Sequence, residues 1–482
     1  VIEVIFLDFS SEIKNERMQK WLLIVGLTYV GILLFLSWYS KKRIQSKEDF
    51  IMAGSKLGLI LGFMTFSATL FSTFTLMGMP DFSRVHGVGS WMFLAFSDAG
   101  MVFLILWFGT MLRKKVANTE FKGMSHLLQE IYGLKWAGYL YFTAIFIFLV
   151  PYVAIQIRGV AVFLELGFED LQIPAWLWSL GIVGFVLLYS SAGGLKAIVY
   201  ADFVQGTTLL IVVWLIGFAC LQNLGGWSAM FSQLEAKNAA LLSTPGPKGL
   251  LTSPFLIASF MAIMMIPVTQ PQLSTRLVIM KDIKAMNKMA VAVGFFAMLV
   301  IFPTLMIGFY GAINYPDATA SDFIGQALIK DQTPLIGALA VIGLFAAAMS
   351  TADSQLFALG NELRGLLRKK TGESLLPIRL AVLGFAASAL LFSLFSSDQL
   401  VLLARVSFAG TALTGPLILL GLMTKKPQGS FMIWATGIGI MVFILAQAKI
   451  IPLKIGGLGI DVCLFFVLAL AATGNYLVKG LK

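Results

Sequence analysis

The sequence predicts an all-α, polytopic membrane protein. Hydrophobic residues make up 58% of the 482 residues and charged residues only 12%, where an ordinary soluble domain is about a quarter charged. The mean hydropathy is +0.88. Apolar runs of the ~20 residues that a membrane helix needs recur along the whole chain. A β-barrel would instead show short alternating runs.

Thirteen apolar spans are predicted, near 21–40, 57–79, 91–112, 136–162, 174–190, 200–221, 251–271, 290–313, 334–362, 376–396, 400–423, 430–448 and 456–478. The gaps alternate in charge. Odd-numbered gaps and the C-terminal tail hold 24 of the 35 Lys and Arg, counting Arg379 at the edge of the tenth span; even gaps and the N-terminal tail hold 9. Arg158 and Arg405 lie inside spans. The positive-inside rule then puts the N-terminus outside and the C-terminus in the cytoplasm, in a cell (inner) membrane. Glu165, Glu169 and Asp170 sit in an outer gap, in keeping with this.

The net charge of +11 is spread along the gaps and forms no basic domain, so nucleic acid is excluded as a partner. Cys220 and Cys463 lie in apolar spans with no disulfide or metal spacing, and His86 and His126 are too few for a histidine metal centre. Val1 to Lys20 carries acids where a signal peptide would be basic. It is expected to be an N-terminal tail, with residues 1–17 an extension outside the fold. Two outer loops, 222–250 and 314–333, are too short to be domains.

Polar residues mark where the spans should break. Span two carries Thr65-Phe66-Ser67-Ala68-Thr69-Leu70-Phe71-Ser72-Thr73-Phe74-Thr75 and then Gly78-Met79-Pro80. Hydroxyls and freed carbonyls in a discontinuous helix suit a hard cation such as Na⁺; small-residue helix packing is the alternative. Span seven ends in Pro267-Val268-Thr269-Gln270-Pro271, followed by Arg276. Two prolines remove backbone donors and should open that helix. Spans two and seven each lead a block of five, the spacing of an inverted repeat. Span nine contains Ala347, Ser350, Thr351 and Ser354 on one helical face, with Asp353 beside them. A polar helix–helix contact would also explain that face. Gly193-Gly194-Leu195-Lys196 leads to Asp202 at the edge of span six, either a helix cap or a functional acid.

Three fragments resemble one family. They are Gly193-Gly194-Leu195 through Asp202 to Gln205, Ala347 through Met349-Ser350-Thr351-Ala352-Asp353-Ser354 to Leu356, and Gln270-Pro271 to Arg276. Together they resemble the sodium:solute symporters, the family of bacterial proline, pantothenate, galactose and sialic acid carriers. Asp49-Phe50-Ile51-Met52-Ala53-Gly54 is similar to its usual opening, except that Ala53-Gly54-Ser55 stands where Gly-Gly-Arg is common. The resemblance implies a LeuT-like fold: a single transporter domain with two inverted five-helix repeats, here 57–221 and 251–423, and two C-terminal helices over 430–478. It implies a sodium site made by the carbonyls of Ala68, Phe71 and Ala347 and the hydroxyls of Ser350 and Thr351. Positions matching a second sodium or coupling site are Ser72, Thr75, Asp202, Asp353 and Ser354. Asp353 departs from the all-hydroxyl form of that site.

The solute is expected near the bilayer midplane, where the broken helices meet. Candidate contacts are Thr73, Phe74, Asp98, Gln156, Arg158, Thr269, Gln270 and Arg405. An arginine binds carboxylates in a bidentate fork, so the reading leans towards a carboxylate or amino acid. An internal ion pair of Asp98 with Arg158 or Arg405 is the alternative. Trp91, Phe93 and Phe96 read as packing or interface residues.

The expectation is therefore a secondary active transporter, without enzyme activity or cofactor, that couples entry of a small organic solute to Na⁺. Its partners are the solute, Na⁺ and the lipid bilayer; the oligomeric state stays open. A transmembrane solute sensor on the same fold is the second reading. A channel lacks its repeated pore loop, and no nucleophile–base pair or phosphate loop supports an enzyme.

Overall fold

The computed structural model describes residues 2–44, 47–168, 171–367, 376–395, 400–424 and 430–480. Among the described residues, eight helices are long and apolar enough to cross a membrane, and two further candidates are helix pairs bent at a short break. Three shorter apolar helices, Ala175–Leu188, Arg379–Phe395 and Phe431–Gln447, fall on other predicted spans. The first helix, α1 (Ile2–Lys42), runs through the segment expected to be a separate tail. No Gly or Pro interrupts the segment before the first span, so nothing in the sequence ends the helix there.

The first bent pair joins α2 (Leu59–Leu70) to α3 (Met79–His86) through a non-helical Phe71 and a π-helical turn at Phe74–Gly78. Its halves meet at 56°. Next come α4 (Ser97–Lys115), the short α5 (Met124–Tyr132), α6 (Lys135–Gly167) and α7 (Ala175–Asn223). The glycine pair predicted to separate spans five and six lies inside α7, where Gly194 has φ 57° and ψ −159°. A β-carbon there would lie 2.5 Å from the Phe50 carbonyl oxygen, so both the backbone and its close neighbour require glycine.

The second bent pair consists of α8 (Ser253–Met264) with α9 (Ile266–Thr269), then α10 (Pro271–Val278), at 53°. Gln270, held extended (φ −97°, ψ 122°) ahead of Pro271, makes the break. Then follow α11 (Ile283–Asn314), α12 (Pro334–Leu366), α13 (Leu376–Phe395), α14 (Leu400–Ala412), α15 (Gly415–Met423), α16 (Phe431–Gln447) and α17 (Ile460–Gly480). The two expected outer loops are partly helical, at Trp227–Asn238 and Ala320–Gly325.

α12 is one of the two most buried spans, with 78% of its apolar window buried, against 83% for Val401–Met423 and 22% for the windows of α1 and α17. It packs on α1, α2, α6, α7, α10 and α13. This explains why its polar face meets both broken helices. At one end of the bundle the two bent pairs are tied together: Leu57 N–H donates to Ile279 O (3.0 Å) and Lys281 N–H to Leu57 O (2.8 Å). Arg113 of α4 donates to the carbonyls of Leu277, Val278 and Met280 (2.9, 2.7 and 2.7 Å), capping α10. At the other end, Arg84 of α3 binds Asp81 (2.7 Å) and donates to the carbonyls of Tyr315 and Pro316 (both 2.8 Å).

Candidate functional site

At the first break the helix loses its ladder, and side chains take up the freed donors. Ser72 N–H donates to Thr75 Oγ1 (3.2 Å), Thr73 N–H to Gln156 Oε1 (3.0 Å) and Phe74 N–H to Ser72 Oγ (3.2 Å). Freed carbonyls face α12. Ser350 Oγ lies 2.8 Å from Ala68 O and 2.9 Å from Ala347 O, and Thr351 Oγ1 lies 3.3 Å from Thr69 O. Four of the five residues expected to hold sodium are thus brought together, and the fifth, Phe71, is the non-helical residue itself (φ −93°, ψ 121°). All five are essentially buried. If the hydroxyl protons turn aside, carbonyl and hydroxyl oxygens offer a water-poor, uncharged shell to a hard monovalent cation.

One turn further along α12 the chemistry changes from neutral to charged. Asp202 Oδ2 accepts from Arg276 Nη2 (3.0 Å) and from Thr65 Oγ1 (2.5 Å). The same Arg276 Nη2 donates to Ser354 Oγ (2.6 Å), its Nε to Thr65 Oγ1 (2.9 Å) and its Nη1 to Gln272 O (3.0 Å). Ser354 in turn contacts Thr69 Oγ1 and Asp353 Oδ1, both at 3.2 Å. Each of these residues is fully or almost fully buried. The guanidinium therefore links α2, α7, α10 and α12. Asp202 is no simple helix cap. The sequence reading quoted Arg276 but gave it no role, although an intramembrane cation calls for a counter-charge. Ser72 and Thr75 belong to the break above, and Ser72 Oγ is 3.3 Å from Tyr152 OH. Nearby, Gln205 Nε2 donates to Tyr29 OH at 3.1 Å, a contact from α1 that the sequence reading also missed.

The solute candidates divide. Gln156 is committed to backbone, accepting from Thr73 N–H and donating to Tyr152 O (3.1 Å). Thr73 packs on Gly159, and Phe74 is buried. At the second break Thr269 O accepts from Tyr141 OH (2.9 Å), and Gln270 Oε1 from Gln272 Nε2 (2.6 Å). Among the described residues, Thr73 Oγ1 and Gln270 Nε2 have no hydrogen-bond partner. A cavity of about 230 Å³ is lined by Met77, Asp81, His86, Arg158, Gly159 and Val401. It brings Arg158 to the first broken span; this arginine also donates to Ser393 O (3.3 Å). Arg405 lies elsewhere, bound to Asp461 (3.0 Å) and Ser259 Oγ (3.0 Å). Neither ion pair expected for Asp98 forms among the described residues.

Two discontinuous helices, packed against a buried span whose hydroxyls reach the carbonyls of the first, define a secondary transporter of the LeuT-like class. The profile of the sodium:solute symporter family matches residues 50–439, and the chain belongs to that family. It is 26% identical to a sodium/pantothenate symporter of Haemophilus influenzae, over 69% of each chain. It is also 26% identical to an osmoregulated proline transporter of Bacillus subtilis, over 83% of each. The fold is similar to that of a Na⁺-coupled sialic acid symporter solved in a substrate-bound outward-open state, with a TM-score of 0.76, 15% identity, and coverage of 94% of this chain and 97% of that one.

Proposed function

We propose that the chain admits a small organic solute by letting Na⁺ bind between α2 and α12, at the carbonyls of Ala68, Phe71 and Ala347 and the hydroxyls of Ser350 and Thr351. The observation that carries this reading is the contact of Ser350 and Thr351 with carbonyls beside the break. Each sodium moving through 100 mV supplies about 2.3 kcal/mol before any concentration term. Sodium binding and solute affinity are reciprocally coupled. The relatives are transporters, so the sensor reading is set aside.

The set of Asp202, Asp353 and Ser354 acts as a coupling relay and holds no second sodium. Arg276 already supplies a positive charge between Asp202 and Ser354. The cavity beside Arg158 lies with the loop at 314–333, the side read as outer from the Lys and Arg bias. Opening to the other side then requires the Asp202–Arg276 link to yield. Thirteen crossings, with the N-terminus outside and the C-terminus inside, fit the eight long helices, the two bent pairs and the three shorter ones.

The test is uptake into proteoliposomes under an imposed sodium gradient. The solute would first be found by screening amino acids, organic acids, vitamins and sugars for sodium-dependent thermal stabilisation. Ser350→Ala with Thr351→Ala should abolish gradient-driven uptake in a folded protein. Uptake that is unchanged without sodium overturns the assignment.

A further inference from the structure

The charges inside the described spans are almost all accounted for. Asp81 pairs with Arg84 (2.7 Å), Asp202 with Arg276 (3.0 Å) and Asp461 with Arg405 (3.0 Å). Glu362 accepts from the amides of Met124 and Ser125 (2.8 and 2.7 Å), and Asp353 from Ser354 (3.2 Å). Arg113 and Arg158 face carbonyls. Asp98 is the exception. It is 4% exposed, and among the described residues it makes no hydrogen bond and no ion pair within 4 Å.

Its position gives this a meaning. Asp98 shares the buried face of α4 with Met101, Ile105 and Phe108, and α4 packs against α9 and α10 on either side of the second break. A β-carbon on Gly100, two residues along, would lie 3.0 Å from Phe260 and 3.4 Å from Met264 at the end of α8, the first arm of the second bent pair. Asp98 thus lies on the helix that walls the second break, beside which the solute is read to sit. A buried carboxylate without a partner is costly, and the arginines that could neutralise it are held elsewhere. The adjacent hydroxyl, Ser97 Oγ, is bonded to Phe93 O, and among the described residues no cage of three or more His, Cys, Asp or Glu that could hold a metal ion forms. An ammonium needs no cage and makes a charge-assisted hydrogen bond to one carboxylate.

We propose that Asp98 receives the protonated amine of the transported solute, so that the substrate class is an amino acid or related amine. An amine-free carboxylate or a sugar would leave the acid unpaired. The inference rests on the transport reading of the same site.

The experiment uses the full chain, purified, with melting temperature read in sodium and in potassium. The probes are the twenty amino acids, putrescine, propionate, tetrahydrofuran-2-carboxylate, pantothenate, N-acetylneuraminate and galactose. Tetrahydrofuran-2-carboxylate is proline with its amine replaced by an ether oxygen. Stabilisation by at least one amine, absent for its amine-free counterpart, is expected. Asp98→Asn should weaken that ligand at least tenfold while keeping the stabilisation given by sodium alone. A panel in which no amine stabilises the protein overturns the proposal, as does stabilisation by pantothenate, N-acetylneuraminate or galactose, or an unchanged affinity in Asp98→Asn. If that variant does not fold, the wild-type comparison of amine with amine-free analogue still decides. Failure of sodium alone to stabilise the wild type would instead count against the symport reading.

Discussion

The side chain of Gln156 replaces the helix that span two gives up: its Oε1 accepts the Thr73 amide at 3.0 Å, while its Nε2 is anchored on Tyr152 O at 3.1 Å. α6 thereby fixes the conformation of the residues that leave the carbonyls of α2 free. A residue proposed from sequence as a solute contact thus holds backbone beside the proposed cation site. Gln156→Leu leaves a buried amide unpaired, at a cost of about 1–3 kcal/mol. The expected result is a weaker apparent sodium affinity, read by sodium titration of the melting temperature in the absence of solute. A variant with normal sodium response and loss of solute binding alone would restore Gln156 to the solute site.

Glu362, near the C-terminal end of α12, caps α5 with both carboxylate oxygens. A carboxylate favours a helix N-terminus because the free amides and the dipole both point at it. Gly123 just before that helix has φ 100°, and a β-carbon there would lie 2.9 Å from the Glu362 carboxylate. Gly123→Ala should therefore combine a disfavoured backbone with a steric clash and destabilise by about 2 kcal/mol or more. Glu362→Gln keeps the shape and weakens the charge-assisted bonds, so it should cost less. Comparing the two melting temperatures checks the order; equal losses would show that the charge dominates.

Ala53 shows how a departure from a family pattern can be tested. Its φ is 50°, in the left-handed region, at a position where the resemblance puts glycine. A β-carbon is disfavoured there. Ala53→Gly should relieve that strain, partly offset by the greater freedom of glycine in the unfolded chain, for a net gain of about 0.5–1 kcal/mol. The thermal midpoint should rise; a fall would mean that the Ala53 methyl group, which is buried, contributes more through packing than the backbone loses.

The breaks were legible because proline and small polar residues act locally. Pro271 forces Gln270 to be extended, and the hydroxyl-rich run around Phe71 has side chains ready to satisfy freed amides. The α12 hydroxyl face was legible from three- and four-residue spacing. Partners distant in sequence were not. Arg276 and Asp202 are 74 residues apart, and Arg405 and Asp461 are 56 apart. Nothing in either local pattern says which acid a given arginine will meet; only the packing of α2, α7, α10 and α12, or of α14 against α17, decides it. Tyr29 escaped notice for the same reason, since an isolated tyrosine in an apolar span carries no periodic signal.

Arg276 and Asp202 supply the strongest test of how many ions are coupled. The guanidinium sits between Asp202 Oδ2 and Ser354 Oγ, at 3.0 and 2.6 Å, where a second sodium would need those oxygens. Removing one charge of a buried pair strands the other, at a cost of about 3–5 kcal/mol, whereas removing both costs much less. Asp202→Asn alone should then be strongly destabilised, and Asp202→Asn with Arg276→Gln should recover much of the loss. With the pair intact, the dependence of uptake on sodium concentration should have a Hill coefficient near one. A coefficient approaching two in the wild type, falling to one in Asp353→Ala, would show that a second sodium displaces the arginine during the cycle.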